Sequence, residues 1–150
     1  MLSDKVSSLD LPAPLIVESG TPVSRVVDEV QRSAVGCVLV CNGPKLVGIM
    51  TERDVLLKIV ARDVDSSQPV DGFMTPDPIT LTPERTIGEA ITIMDRENFR
   101  HIPITDEKTG RPISIFSITD VINFLAESFP ASVINLPPRP HQKIMTPEGA

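Results

Sequence analysis

Apolar residues along this chain form short runs and helix-spaced faces in a fixed order. Three runs of four to eight residues or fewer predict strands, since they are rich in β-branched residues and bounded by Gly, Pro or Asn. Between the first two runs, valines fall at i, i+3, i+4 and i+7, which predicts one buried helical face after Thr21-Pro22. The first-half elements are strands Leu15–Val17, Gly36–Cys41 and Lys45–Met50, a helix carrying Val23, Val26, Val27 and Val30, and a helix from Glu52 to about Arg62 with Val55, Leu56, Ile59 and Val60 inward.

The same order of elements returns in the second half. Thr86 and Glu89 have the spacing of a capping box, in which both side chains bind free N–H groups at a helix start. The predicted elements are a strand at Ile79–Leu81, a helix with Ile87, Ala90, Ile91 and Met94 inward, strands His101–Ile104 and Pro112–Phe116, and a helix from about Ile118 to Ser128. The pattern therefore predicts an α/β (α+β) fold built from two βαββα repeats.

One strand-to-helix junction occurs in both halves. Thr51-x-x-Asp54 follows the apolar strand of the first half, and Ser117-x-x-Asp120 follows that of the second, 66 residues later in each case. We predict a frayed lead-in at residues 1–10, repeats at 11–62 and 73–128, a linker at 63–72 and a proline-rich extended tail at 129–150.

Composition narrows the classes of partner. The formal net charge is −6, aromatic residues are 3% of the chain, and Trp and Tyr are absent. Nucleic-acid binding needs clustered cations or stacking aromatics, so we expect no nucleic-acid partner. Cys37 and Cys41 are interpreted as small core residues on one strand, too far apart for a disulfide. With no signal-like or membrane-length apolar run, we expect a cytoplasmic protein without membrane insertion.

The junction residues have two interpretations. The N–H groups and positive dipole end of a helix start favour anions, so Thr51, Arg53 and Asp54 are candidates for binding a phosphorylated ligand. A hydroxyl followed three residues later by a carboxylate is also a helix cap, worth roughly 0.5–2 kcal/mol. Arg53 is unfavourable at a helix start, which favours a role with phosphate. His101 has no partner at metal-ligand spacing, and no catalytic constellation is found, so neither a metal site nor an enzyme is predicted.

These motifs resemble those of a tandem pair of cystathionine β-synthase (CBS) domains, often called a Bateman module. The resemblance covers about residues 11–128 and rests on four motifs, each in its expected order. They are Gly48 with Thr51-x-x-Asp54, Met74-Thr75-Pro76, His101-Ile-Pro-Ile104 and Ser117-x-x-Asp120.

The resemblance implies two repeats packed sheet to sheet about a pseudo-twofold axis, with clefts for AMP, ADP or ATP, or in some members S-adenosylmethionine. It implies that Asp54 and Asp120 contact ribose hydroxyls and that Thr51 and Ser117 contact phosphate. The adenine pocket would be lined by Ile79, Thr80, His101, Ile102 and Pro103. No cofactor is required, since the adenine nucleotide is a regulatory ligand.

The chain departs from the family pattern in both halves. The first keeps Gly36 but has Val38-Leu39 where an apolar residue and proline are usual, and the second keeps Ile102-Pro103 but has Phe99-Arg100 where a glycine is usual. Three hypotheses follow: an adenine-nucleotide sensor, a sensor of S-adenosylmethionine or another adenosyl ligand, and a ligand-free dimerisation scaffold. Pocket shape favours the Asp120 cleft, and Arg53 favours the Asp54 cleft for phosphate. We further expect a homodimer that acts in trans on an unidentified effector protein, since no effector domain is recognised in the chain.

Overall fold

The computed structural model describes residues 2–128, and the predicted tail at 129–150 lies outside this range. Residues up to Ile118 form one compact unit, and a second begins at Thr119. The first repeat contains β1 (Ile16–Glu18), α1 (Val23–Arg32), β2 (Cys37–Asn42) and β3 (Lys45–Thr51). β1 pairs parallel with β2, and β2 pairs antiparallel with β3 through a turn in which Gly43 has φ +62°. These elements confirm the predicted strands and the first helix.

The helical segment after β3 differs in part from its prediction. It consists of α2 (Glu52–Asp54), a π-helical stretch (Val55–Ile59) and a 3₁₀ turn (Val60–Arg62). Ile59 is buried as expected, but Leu56 and Val60 are 59% and 64% exposed, so their assignment to the inner face is wrong. A π-helix has more residues per turn than an α-helix, which moves the two side chains off the face that the 3.6-residue period predicts.

The second repeat contains α3 (Ile87–Glu97), β5 (His101–Thr105), β6 (Pro112–Ser117) and α4 (Ile118–Ser128). β5 and β6 form an antiparallel hairpin. The predicted capping box is confirmed, because the Glu89 N–H donates to Thr86 Oγ1 at 3.1 Å and the Thr86 N–H to Glu89 Oε1 at 3.3 Å. The Thr86 N–H is the main cause that lowers the pKa of Glu89, followed by Arg85.

The strand predicted at Ile79–Leu81 is wrong, since only Leu81 makes a bridge, to Ile104. The chain instead forms its strand earlier, as β4 (Thr75–Pro76), which pairs antiparallel with β3. Asp77 has φ +47°, which breaks the extended backbone, and Pro78 has no N–H to continue the ladder. The four-stranded sheet therefore has the order β1-β2-β3-β4 and includes a strand from the start of the second half.

β2 supplies side chains to two cores because successive residues of a strand point to opposite faces. Val38 and Val40 pack beneath α1 with Met50 and the α1 valines. On the other face, Cys37 and Leu39 pack with Ile49 and with Ile115 of β6. The two sheets thus meet through aliphatic side chains, which agrees with the predicted fold class.

The segment before β1 is part of the second repeat's structure. Its 3₁₀ turn (Val6–Ser8) carries Val6, which is fully buried. The N–H groups of Ile87 and Gly88, at the start of α3, donate to the carbonyls of Asp4 and Leu2, both at 2.8 Å. The interpretation of residues 1–10 as frayed is therefore wrong for the described residues. No pattern in so short a segment revealed its partner, which is nearly 80 residues away.

The segment between the repeats makes the same contacts with the first repeat. The N–H groups of Val23 and Ser24, at the start of α1, donate to the carbonyls of Gln68 and Ser66 at 2.8 and 3.0 Å. Val70 is fully buried, as Val6 is. Every donor and acceptor here lies 64 residues from its counterpart, in opposite senses. Each repeat therefore has its first helix started by the segment that precedes the other repeat.

Val6→Ala tests whether the leading segment contributes to stability. We expect the free energy of unfolding to fall by about 1–3 kcal/mol, because a fully buried side chain is shortened and a cavity is left. Ser7→Ala, at an exposed position in the same turn, is the control and is expected to change it by less than about 0.5 kcal/mol. Urea unfolding of both variants gives the comparison, and equal stabilities would show that the segment is not part of the core.

Candidate functional site

The junction of β3 and α2 is closed by a second capping box. Thr51 is the N-cap, and its Oγ1 accepts from the Asp54 N–H at 3.2 Å. In return, Asp54 Oδ2 accepts from the Thr51 N–H at 3.1 Å and from the Thr51 hydroxyl at 3.2 Å. Thr51 ends a strand and Asp54 begins a helix, so the box fixes the direction in which the chain turns.

The Asp54 carboxylate has a further partner. Its Oδ1 lies 3.2 Å from Lys58 Nζ, one turn later, and the Asp54 side chain is only 13% exposed. A carboxylate offers about four lone-pair positions, so the described contacts leave room for a ligand hydroxyl. Asp54 can thus cap the helix and accept from a ligand at the same time.

Arg53 and Glu52 give the junction its exposed charges. Both residues are exposed, and within residues 2–128 no ion pair or hydrogen bond engages the Arg53 guanidinium. The Glu52 carboxylate lies against Gly36, where an added Cβ would be 2.4 Å from Glu52 Oε1. Gly36 has φ +72°, so both its backbone and the close approach of Glu52 require a glycine. Arg53 is the group at this junction that is available to an anion.

The backbone builds the junction twice. The Glu52 N–H donates to the Gly36 carbonyl at 3.0 Å, and the Ile118 N–H donates to the Arg100 carbonyl at 3.0 Å. In both repeats, the first helical N–H after the hairpin is therefore bound by the residue just before the hairpin. The repeated motif of the sequence corresponds to repeated local geometry.

A single side-chain contact joins the two hairpins at this end. His101 Nε2 donates to the Val35 carbonyl at 2.5 Å, so this nitrogen carries the proton. Val35 lies two residues before Cys37, which pairs with Thr51, while His101 pairs with Ser117. The structure thus brings Thr51, His101 and Ser117 to the same end of the two hairpins, as the candidate site requires.

The remaining candidates occupy different surroundings. Ile102 and Pro103 are buried and Ile79 is half-buried. Thr80 is exposed and lies beside Thr105, at the far end of β5 from His101, which is about 13 Å away by strand rise. Asp120 is in the first turn of α4 and belongs to the second unit. Thr80 and His101 therefore do not share one surface of the first unit.

Two residues of the junction were missed from the sequence. Lys58 follows Asp54 at the i, i+4 spacing typical of helical ion pairs, so its contact was readable from the pattern. Val35 contributes a backbone carbonyl, which any residue type supplies, so no sequence signal identifies it.

The cysteines and the metal prediction have simpler outcomes. Cys37 and Cys41 are free and buried on β2, as predicted, and burial raises the pKa of Cys37 to about 12. Burial also raises the pKa of Cys41, with a smaller effect of Glu18. Among residues 2–128, no group of three His, Cys, Asp or Glu side chains is arranged to hold a metal. None of the helices in that range has the length and apolar character needed to span a bilayer.

Comparison with known proteins identifies the family. The CBS domain model matches this chain twice, at residues 6–61 and 70–127. The chain belongs to the CBS domain family. An uncharacterised 17.7 kDa protein of Acidianus ambivalens is 30% identical over 127 residues, covering 84% of this chain and 76% of the relative. A CBS domain-containing protein of Arabidopsis thaliana is 28% identical over 79% of this chain, which spans only 22% of that longer protein.

Solved CBS structures share the fold. A CBS domain protein from Pyrobaculum aerophilum, complexed with AMP, superposes with a TM-score of 0.75 at 23% identity, over 89% of this chain and all of the other. The CBS domain pair of protein MJ0100, in complex with 5′-methylthioadenosine and S-adenosylmethionine, has a TM-score of 0.74 at 18% identity, over 83% of this chain and 98% of the other. At these identities the likeness establishes the tandem CBS architecture.

Thr51→Ala separates the capping role of this junction from its charge. We expect the free energy of unfolding to fall by about 1 kcal/mol, because the Asp54 N–H loses its acceptor. Arg53→Gln, at the next exposed position but one, is expected to change it by less than about 0.5 kcal/mol. Chemical denaturation of both variants measures the difference, and a fully stable Thr51→Ala protein would contradict the capping assignment.

Proposed function

We propose that this protein is a non-catalytic regulatory module that binds an adenine nucleotide, AMP, ADP or ATP, between its CBS repeats. The observation that carries the proposal is the duplicated junction, where Thr51 and Asp54 lie at a helix start beside an unpaired Arg53. The helix start supplies N–H groups, Arg53 supplies a cation for phosphate, and Asp54 supplies an acceptor for a ribose hydroxyl. The AMP complex of the Pyrobaculum aerophilum protein supports this ligand class.

In this proposal the candidate residues have separate tasks. Thr51 and Ser117 contact phosphate, and Asp54 and Asp120 contact ribose. His101, Ile102 and Pro103, with Ile79 and Thr80, surround adenine. Arg53 has no counterpart in the second repeat, where Thr119 stands, so the phosphate charge is proposed to favour the Asp54 side.

Two alternatives have specific support. S-adenosylmethionine carries a positive sulfonium, which the exposed carboxylate of Glu52 would tolerate better than a phosphate, and the MJ0100 complex supports this ligand class. A ligand-free scaffold is supported by Asp54 itself, whose two oxygens already serve Thr51 and Lys58.

Thermal unfolding with AMP, ADP, ATP and S-adenosylmethionine tests the proposal. A ligand that binds only the folded protein at a hundred times its Kd adds about 2.7 kcal/mol, so the unfolding midpoint rises. Asp54→Ala and Asp120→Ala are each expected to reduce the shift at their own site, measured against the ligand-free midpoint of the same variant. Asp95→Ala, at an exposed position of α3, is the matched control.

The pattern of responses separates the three functions. A shift with nucleotides that Arg53→Gln weakens supports the phosphate assignment, and a shift with S-adenosylmethionine alone supports the second alternative. No shift with any of the four, in protein shown to be ligand-free, would leave the scaffold. A shift that survives both aspartate substitutions would refute the ribose assignment.

We also propose that the module is a homodimer and acts on its effector protein in trans. The helical segment after β3 supports dimerisation, because Leu56, Leu57 and Val60 are 59%, 50% and 64% exposed. Three neighbouring exposed aliphatic side chains are typical of an interaction surface. A dimer would bury them against a second copy.

Leu57→Glu combined with Val60→Glu tests this surface. Because both side chains are at least half exposed in one chain, the fold should persist while a charged interface would not assemble. Light scattering after size-exclusion chromatography should give a dimer for the native protein and for Arg62→Ala, and a monomer for the double variant. A native monomer, or a dimer of the double variant, would contradict the proposal.

A further inference from the structure

A cavity of about 320 Å³ lies at the turns of the two hairpins, and its nine lining residues all belong to the first unit. Its walls are the β2–β3 turn, the connection that follows β4, and the β5–β6 turn. Of the residues assigned to the nucleotide site, Thr80 alone is among its lining residues. Thr51 and His101 are at the opposite ends of the same hairpins. We propose that this cavity is a separate binding site for a free α-amino acid.

The walls of the cavity are preformed on two sides. In the β5–β6 turn, Asp106 Oδ1 accepts from the N–H groups of Lys108 and Thr109 at 2.8 and 2.9 Å, and these bonds lower the pKa of Asp106. The connection after β4 is held to β5, because the Leu81 N–H donates to Pro103 and the Thr105 N–H donates to Leu81. A preformed site loses less conformational entropy on binding.

The backbone on the third side is strained at one residue. Asp77 has φ +47°, in the left-handed region, and its N–H donates to the Val47 carbonyl at 3.0 Å. Residues other than glycine are uncommon in this region and concentrate at ligand sites, although Asp and Asn tolerate it best. The bond to β3 holds Asp77 at the cavity.

The cavity carries one unpaired charge of each sign. Lys45 and Asp77 both line it, and within residues 2–128 neither side chain has an ion-pair or hydrogen-bond partner. Thr80, Thr105 and Thr109 add hydroxyl groups, and Thr105 is buried. A simple anion would satisfy Lys45 and face Asp77, while a simple cation would do the reverse. A zwitterion satisfies both.

The volume and the lining select among zwitterions. Ligand pockets usually measure about 300–1,000 Å³, so this one is at the small end of the range. An α-amino acid places its carboxylate at Lys45 and its ammonium group at Asp77, with the hydroxyl groups as further hydrogen-bond partners. Leu46 and two prolines give its side chain an apolar wall. The site does not depend on the proposed nucleotide binding.

The test is a screen of the twenty genetically encoded α-amino acids, each added singly to the full chain. At about a hundred times Kd, at least one should raise the unfolding midpoint by ~3 °C or more. Isothermal titration of that amino acid then measures Kd for Lys45→Met and Asp77→Asn, where Asn preserves the left-handed backbone. Each variant is expected to bind about tenfold more weakly or worse, because a charge-assisted bond is lost.

Lys108→Met is the matched control, since Lys108 is exposed on the β5–β6 turn but does not line the cavity. It should bind with the native Kd. The proposal is overturned if none of the twenty amino acids binds, or if Lys45→Met and Asp77→Asn both keep the native Kd. In either case Lys45 is a solvated surface side chain and Asp77 serves the turn alone. Circular dichroism of each variant checks that the fold is retained.

Discussion

The free N–H groups at the start of a helix must find acceptors, and the way this protein provides them determines its organisation. The starts of α1 and α3 receive carbonyls from the chain segment that precedes the opposite repeat. Val6 and Val70 anchor those segments in the core. Neither repeat therefore contains everything that its own first helix needs. The duplicated chain is in this respect a covalently joined pair, in which each half completes the other.

This exchange has consequences for the candidate site. β4 extends the first repeat's sheet with residues from the second half, and Ile115 of β6 closes the core on the other face of that sheet. The open ends of the two hairpins are consequently held together, and the His101 bond to Val35 is made across them. A ligand that bound there would contact both repeats, so its binding energy would act on their packing. That coupling is what a regulatory module requires.

The sequence predicted most elements because their signals are local. The valines of α1, the capping box of Thr86 and Glu89, and the turn at Gly43 each depend on residues close in the chain. The errors arose where distant or geometric factors decide. Leu56 and Val60 followed a 3.6-residue period that the π-helical stretch does not keep, and residues 2–8 bind partners nearly 80 residues away. At the site, the motif identified Thr51 and Asp54, but it did not reveal that Thr80 lies at the other end of the hairpin.

The two capping boxes show how the same local chemistry serves different ends. At α3, the box joins Thr86 to an exposed Glu89, whose remaining partner is Arg85, and backbone carbonyls from the leading segment cover the adjacent N–H groups. At α2, the box joins Thr51 to Asp54, with the unpaired Arg53 between them and a π-helical stretch directly after it. Single π-turns inside helices concentrate at functional sites because they alter the direction of side chains at a small cost in hydrogen bonding. Of the two boxes, the one at α2 therefore has the free charge and the irregular backbone that binding requires, whereas the one at α3 is fully used by the fold.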